Sequence, residues 1–161
     1  MSSLYDEVLL EHIRDARNYR EMPDATRRGE AVSALCGDTF SVYVRLAGDV
    51  VADASFQCEC CGISMASASI MTDWVRGRTV REVLAIRDTF VEGVRAHAQS
   101  VGDSAHPDHT AVLRVVRATS GREGCATLAW TALASALTGE AAPGSGSDPD
   151  GGISLGQTPG A

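Results

Sequence analysis

The chain has 161 residues, 44% of them hydrophobic. That is enough for one domain with a real core and too little for two ordinary ones. The formal net charge is −7 and all fourteen basic residues are arginine, so no basic face neutralises phosphates and nucleic acid is not an expected partner. Apolar runs fall far below the roughly 20 residues a bilayer span needs, and no charged segment followed by an apolar one opens the chain. A soluble, cytoplasmic protein with no membrane partner is expected.

Ser3-Leu-Tyr-Asp6 fits a helix start, and Leu4, Val8, His12 and Ala16, flanked by Tyr5, Leu9 and Ile13, form an apolar stripe that predicts a helix to about Arg17. Residues 21–34 are polar or small and include Pro23 and Gly29, which reads as an extended connection leading to Cys36. Phe40, Val42, Val44 and Leu46 alternate with polar or differently faced residues, as do Val50, Ala52, Ala54 and Phe56. Ala47-Gly48-Asp49 joins the two runs as a hairpin. A helix is expected from Ile63 to Arg76, ending at Gly77, and Thr79-Val-Arg-Glu82 opens another. Residues 100–108 read as a loop with Gly102 and Pro107; Val112, Leu113, Val115 and Val116 favour a helix over a strand. A last helix spans Ala126 to Leu137, stops at Gly139 and has Cys125 immediately before it. Beyond residue 139, six of the sixteen glycines and three of the five prolines fall in twenty-two residues. Such a tail buries too little to offset its ordering entropy. The expected organisation is one domain over residues 1–139 and a disordered tail over 140–161.

Five cysteines are an odd number, and three of them, Cys58, Cys60 and Cys61, lie within four positions. Complete pairing within one chain is impossible, and in a reducing compartment metal binding or sulfur chemistry outranks a disulfide framework. Cys36-Gly-Asp38 precedes the first alternating run, while Cys61 and Cys125 each precede a helix. A helix N-terminus offers unpaired N–H groups and the positive end of the macrodipole, an environment suited to anionic sulfur. Asp38, two residues from Cys36, projects to the same side of an extended segment. Three sulfurs and one oxygen complete a tetrahedral shell that zinc accepts. Gly37 and Gly62, beside these ligands, allow unusual dihedrals or close backbone approach.

Spacing alone gives no CxxC pair, but a longer set of residues resembles a known family. Leu4-Tyr5 with His12, Cys36-Gly37-Asp38, the run from Cys61 to Thr72, Arg122, and Cys125-Ala-Thr-Leu-Ala-Trp130 resemble the SufU and IscU-type iron–sulfur cluster assembly proteins over residues 4 to 138. The 64-residue step from Cys61 to Cys125 is closer to SufU. The resemblance implies an α+β fold with a small antiparallel β-sheet packed by helices and a metal site at one end. By matched position it implies Cys36, Asp38, Cys61 and Cys125 as ligands. In SufU-type proteins zinc fills the site and sulfur is taken as persulfide from a PLP-dependent, SufS-like cysteine desulfurase, before passing to downstream cluster assembly or carrier proteins. In IscU-type proteins iron and a [2Fe-2S] cluster are assembled there. On the SufU-like reading Cys36 is the persulfide acceptor, a sulfurtransferase-like role working with the desulfurase. The alternatives are a cluster scaffold on the same residues and a non-catalytic zinc-stabilised interaction module.

The chain departs from that pattern in three places. Ser33-Ala34-Leu35 replaces Asn-Pro before Cys36, Cys58 and Cys60 stand where glycines are usual, and Gly124 replaces a basic residue, for which Arg122 compensates. Cys58 and Cys60 are open to three roles besides incidental small residues: recruiting another metal or cluster, accepting sulfur, or forming a disulfide. His106 and His109 are read as solvated loop residues, His12 as a helix-face residue, and Met65, Ile70, Met71 and Trp74 as core. Arg14, Arg17 and Arg20 are read as solvated rather than as a docking stripe.

Overall fold

The computed structural model describes residues 7–33, 37–102, 104–119 and 121–139. Its elements, in chain order, are α1 (Glu7–Arg14), β1 (Arg27–Val32), β2 (Thr39–Ala47), β3 (Val50–Glu59), α2 (Gly62–Val75), α3 (Val80–Arg95), α4 (His109–Ala118) and α5 (Glu123–Thr138). The strands form one antiparallel sheet in the order β1-β2-β3. Among the described residues five helices accompany it, with α2 and α5 packed against its strands, so the expected α+β class is the observed one. The expected tail and the Ser3–Asp6 helix start lie outside the described residues.

Strands β2 and β3 form where the sequence alternates, joined through Gly48 at φ +65°, a turn conformation that glycine adopts without steric cost. Phe40, Val42 and Val44 face the core. On β3 the alternation breaks at its start: Arg45 pairs with Asp53 but Leu46 pairs with Val51, so Ala52 is an extra residue. This bulge puts Val51, not Val50 or Ala52, fully in the core, while Ala54 and Phe56 keep the expected inward phase.

The segment expected to be an extended connection contains β1. Its residues are small or charged, and pairing with β2 makes it a strand. Gly29 is the reason it can lie where it does. A Cβ there would collide with the Ala132 carbonyl oxygen and meet the Ala136 nitrogen at 2.5 Å. The glycine is therefore a point of close approach between strand and helix rather than a breaker.

Helix α2 runs through the middle of the molecule, with eleven of its fourteen residues buried. It shows little amphipathicity because neighbours cover it on nearly all sides. Its Ser64, Ser67, Ser69 and Thr72 are all buried, and each hydroxyl oxygen makes a hydrogen bond outside the helix, Thr72 by accepting from Asn18. Ile70, Met71 and Trp74 are core as expected, and Trp74, Phe90 and Trp130 form an aromatic cluster with ring centroids 5.2–5.9 Å apart. Helix α3 opens on a capping box: Glu82 N–H donates to Thr79 Oγ1 at 3.1 Å and Thr79 N–H to Glu82 Oε1 at 2.9 Å. Helix α5 ends at Gly139, φ +76°.

Two polar readings change in the folded chain. His12 is 2% exposed and not merely a helix-face residue; Nδ1 meets Ser69 Oγ at 2.7 Å and Nε2 meets Asp108 Oδ2 at 2.8 Å, tying α1 to α2 and to the start of α4. It lies on the inward side of α1 with Leu9, whereas Val8 is exposed and the helix stops at Arg14, short of Arg17. His106 and His109 are not solvated. His106 Nε2 contacts Asp73 at 2.8 Å, and His109 is buried, with Nδ1 against the His106 carbonyl and Nε2 accepting from Val101 N–H. Both rings are thereby held by protein partners. Arg14, Arg17 and Arg20 are exposed as expected, the latter two in surface pairs with Asp73 and Asp53.

Candidate metal centre

Asp38, Cys61 and Cys125 meet at one end of the sheet, with a ligand atom from each lying within 4.8 Å of the others. Three elements deliver them. Asp38 is the residue before β2, Cys61 is the N-cap of α2 with φ −76° and ψ 170°, and Cys125 sits in the first turn of α5. The sequence put Cys125 just before its helix; α5 begins two residues earlier, at Glu123. Either way the N-termini of a 14-residue and a 16-residue helix converge on the trio, and the positive ends of both dipoles favour anionic groups there. Asp38 and Cys125 are each 7% exposed.

Ser64 organises the three. Its Oγ is fully buried and lies 2.9 Å from Asp38 Oδ2, 3.0 Å from the Cys125 carbonyl oxygen and 3.4 Å from Cys61 Sγ. A hydroxyl has one proton, so Ser64 donates to either the carboxylate or the carbonyl while the other contacts fix its position. Asp38 Oδ2 also accepts from Cys61 N–H at 3.4 Å. Ser67 repeats the tie one turn on, donating to the Ala126 carbonyl at 2.6 Å. The sequence reading overlooked both serines. Their signal was the placement of small hydroxyls three and six residues after Cys61, on a helix that is largely buried. Arg122 Nη1 approaches Cys125 Sγ at 3.7 Å, which places a positive charge beside that sulfur despite Gly124.

Cys36 itself lies outside the described residues. Its flanks are tied together: Ser33 N–H donates to the Asp38 carbonyl at 2.8 Å, and Gly37 N–H donates to the Ser33 carbonyl at 2.9 Å. Gly37 has φ +76° with open space where a Cβ would stand, so its backbone angle, not crowding, selects glycine. Gly62 instead has no positive φ and simply begins α2. Cys58 and Cys60 are joined in a disulfide. In that state neither is a metal ligand.

The donor set suits a divalent ion. Two sulfurs and a carboxylate oxygen supply three of four tetrahedral positions, and bonds of about 2.0–2.3 Å imply ligand separations of about 3.3–3.8 Å. Donors already within 4.8 Å reach that range by small side-chain adjustments.

Such a site, at the junction of a three-stranded sheet and two helix N-termini, defines an α+β domain with a sulfur-rich donor set that could hold a metal ion. The chain belongs to the NifU-like N-terminal domain family, whose model matches residues 4–126. It is 32% identical over 133 residues to the zinc-dependent sulfurtransferase SufU of Bacillus subtilis, covering 83% of this chain and 88% of that one. It is 31% identical over 137 residues to the iron–sulfur cluster assembly scaffold protein IscU of Streptococcus pyogenes, with 85% and 84% covered. The fold matches the crystal structure of an iron–sulfur cluster assembly scaffold protein for the SUF system from Fervidobacterium islandicum, with a TM-score of 0.73 at 24% identity over 83% of this chain and 96% of that one. It also matches the N-terminal NifU-like protein of Brucella abortus, with a TM-score of 0.74 at 24% identity over 83% and 92%. Among the described residues, no helix is long and apolar enough to cross a membrane.

Proposed function

We infer that this chain is a SufU-like protein of iron–sulfur cluster assembly that holds zinc with Cys36, Asp38, Cys61 and Cys125 and accepts persulfide sulfur on Cys36 from a PLP-dependent cysteine desulfurase. The observation that carries this reading is the meeting of Asp38, Cys61 and Cys125 from three separate elements. Two residues of chain extend no more than about 7 Å, so Cys36 cannot be far from Asp38. The similarity to a relative named as a zinc-dependent sulfurtransferase supports zinc and sulfur transfer among the chemistries open to such a donor set.

Zinc in this site would hold its sulfur ligands as thiolates and lock the three elements together. The chain's own residues do the rest. Asp38 is steered by Ser64 and the Cys61 N–H, so its carboxylate is aimed before any ion arrives. Cys36 is the reactive member of the set. To react it would have to come free of the ion while a partner group took its place, and its thiolate then attacks the outer sulfur of the desulfurase persulfide. The S–S bond of the donor breaks, the donor leaves as thiolate, and Cys36 carries the persulfide. The cytoplasm is the compartment where such thiols stay reduced, and downstream assembly or carrier proteins are the recipients.

Metal analysis of the purified chain tests the reading. One zinc per chain is expected, with stimulation of a cysteine desulfurase that disappears in Cys36→Ala; absence of stimulation by the wild-type chain eliminates it. A [2Fe-2S] scaffold on the same residues is the second reading, favoured by the similarity to IscU. It predicts visible charge-transfer absorption after anaerobic reconstitution with iron and sulfide, and a colourless product removes it.

A further inference from the structure

Cys58 and Cys60 stand apart from the donor trio, yet the fold brings them to its edge. Thr39 pairs with Glu59 across β2 and β3, so Asp38, the preceding residue, comes level with Cys60. Gly37-Asp38 thus enters β2 beside the point where β3 leaves through Cys60 to Cys61. The two sulfurs are within bonding distance of each other, as their disulfide shows. Both residues are only partly buried. Cys58 is held at its backbone: Tyr19 Oη donates to its carbonyl at 2.8 Å and its N–H approaches Tyr19 Oη at 3.3 Å. It also lines an open polar groove with Tyr19, Thr39, Ser41 and Gln57, through which a small thiol can reach it.

We propose that Cys58 and Cys60 are a redox-active dithiol that reduces sulfane sulfur arriving at the adjacent site and releases it as sulfide. Persulfide sulfur must gain two electrons to become the sulfide of a cluster, and a pair of thiols closing to a disulfide supplies two. Cys60, level with Asp38, attacks the outer sulfur of the Cys36 persulfide. That S–S bond breaks, the Cys36 thiolate is restored and Cys60 carries the persulfide. Cys58 then attacks the inner sulfur, the Cys58–Cys60 disulfide forms and hydrosulfide leaves. In sum, one persulfide and two thiols give one thiol, one disulfide and one hydrogen sulfide. A low-molecular-weight dithiol resets the pair by exchange. The disulfide seen in the structure is the product state of this cycle. The inference rests on Cys36 being the acceptor, and its test separates the two.

The full-length chain, zinc-loaded, reduced and freed of reductant under anaerobic conditions, is incubated with a cysteine desulfurase and ³⁵S-cysteine. Labelled sulfide and the state of each cysteine are followed, the latter by peptide mass mapping. Wild type is expected to release about one labelled sulfide per chain while closing Cys58–Cys60. Cys58→Ser is expected to lose sulfide release and hold the label as a persulfide on Cys60; retained uptake of label shows that this variant is folded. Label that enters Cys36 and stays there equally in wild type and in the Cys58→Ser/Cys60→Ser double variant overturns the dithiol and leaves the acceptor intact. If no label enters wild type, the acceptor reading fails, and glutathione persulfide added in place of the desulfurase decides the rest. Sulfide release with Cys58–Cys60 closure, lost in the double variant, then supports the dithiol; equal release from both overturns it.

Discussion

Removing the Ser64 hydroxyl should weaken the metal centre without touching a ligand. The side chain is fully buried, and its contacts to Asp38, the Cys125 carbonyl and Cys61 Sγ span 2.9 to 3.4 Å. Ser64→Ala leaves the Asp38 carboxylate with the long 3.4 Å contact from Cys61 N–H. Loss of a hydrogen bond to a charged buried group costs about 1.5–3 kcal/mol. Because the bond orients a ligand, the same loss is expected in zinc binding, roughly a 10–100-fold weaker affinity. Competition against a chromophoric zinc chelator measures it, alongside urea unfolding of the metal-free chain. Ser67→Ala is the control. Ser67 is also buried on α2 and donates to α5 at the Ala126 carbonyl, but touches no donor of the trio. It should lower stability by about 0.5–1.5 kcal/mol and leave zinc affinity unchanged. Equal zinc affinity in wild type and Ser64→Ala, or an equal loss in both variants, would refute the orienting role.

Gly29→Ala should destabilise the chain by about 1–3 kcal/mol, the usual cost of forcing atoms into a packed contact, because its methyl meets the backbone of Ala132 and Ala136; a thermal midpoint lowered by several degrees checks it, and an unchanged midpoint counts against the close approach. Asp73 supplies a pH signature. Burial raises its carboxyl, but the hydrogen bond and charge of His106 and the pairing with Arg17 outweigh that, and its pKa lies below the ordinary value of 3.8. A depressed carboxyl stabilises the fold at pH above its unfolded pKa, and the contribution is lost as pH falls through the folded value. Asp73→Asn should therefore flatten the decline of urea-unfolding stability below about pH 4, and a slope identical to wild type would contradict the assignment.

Family resemblance and local pattern made much of the molecule legible. The β2–β3 hairpin followed from alternation, α3 from Thr79 and Glu82, and α5 from its uninterrupted run closed by Gly139. Strand β1 was missed because a strand of small and charged residues has no inward hydrophobic signature of its own; β2 and α5 supply its partners. The bulge at Ala52 was invisible for a related reason, since register belongs to a pair of strands and not to one. The histidines were misread because nothing local shows that His12 will find Asp108, 96 residues away, or that His109 will be clamped by its own loop.

The amino-acid order alone fixed the chemical kind of the site: thiols without enough partners to pair, a carboxylate next to one of them, and helix starts to receive them. Whether those groups share a point in space was decided by packing. Ser64, for instance, reaches a carboxylate 26 residues upstream and a carbonyl 61 residues downstream. Periodicity and capping act over a turn or two of chain, so they specify elements. A metal centre built from three of them, and a pair of sulfurs set at its edge, exists only once the buried faces of α2, α5 and the sheet have chosen one another.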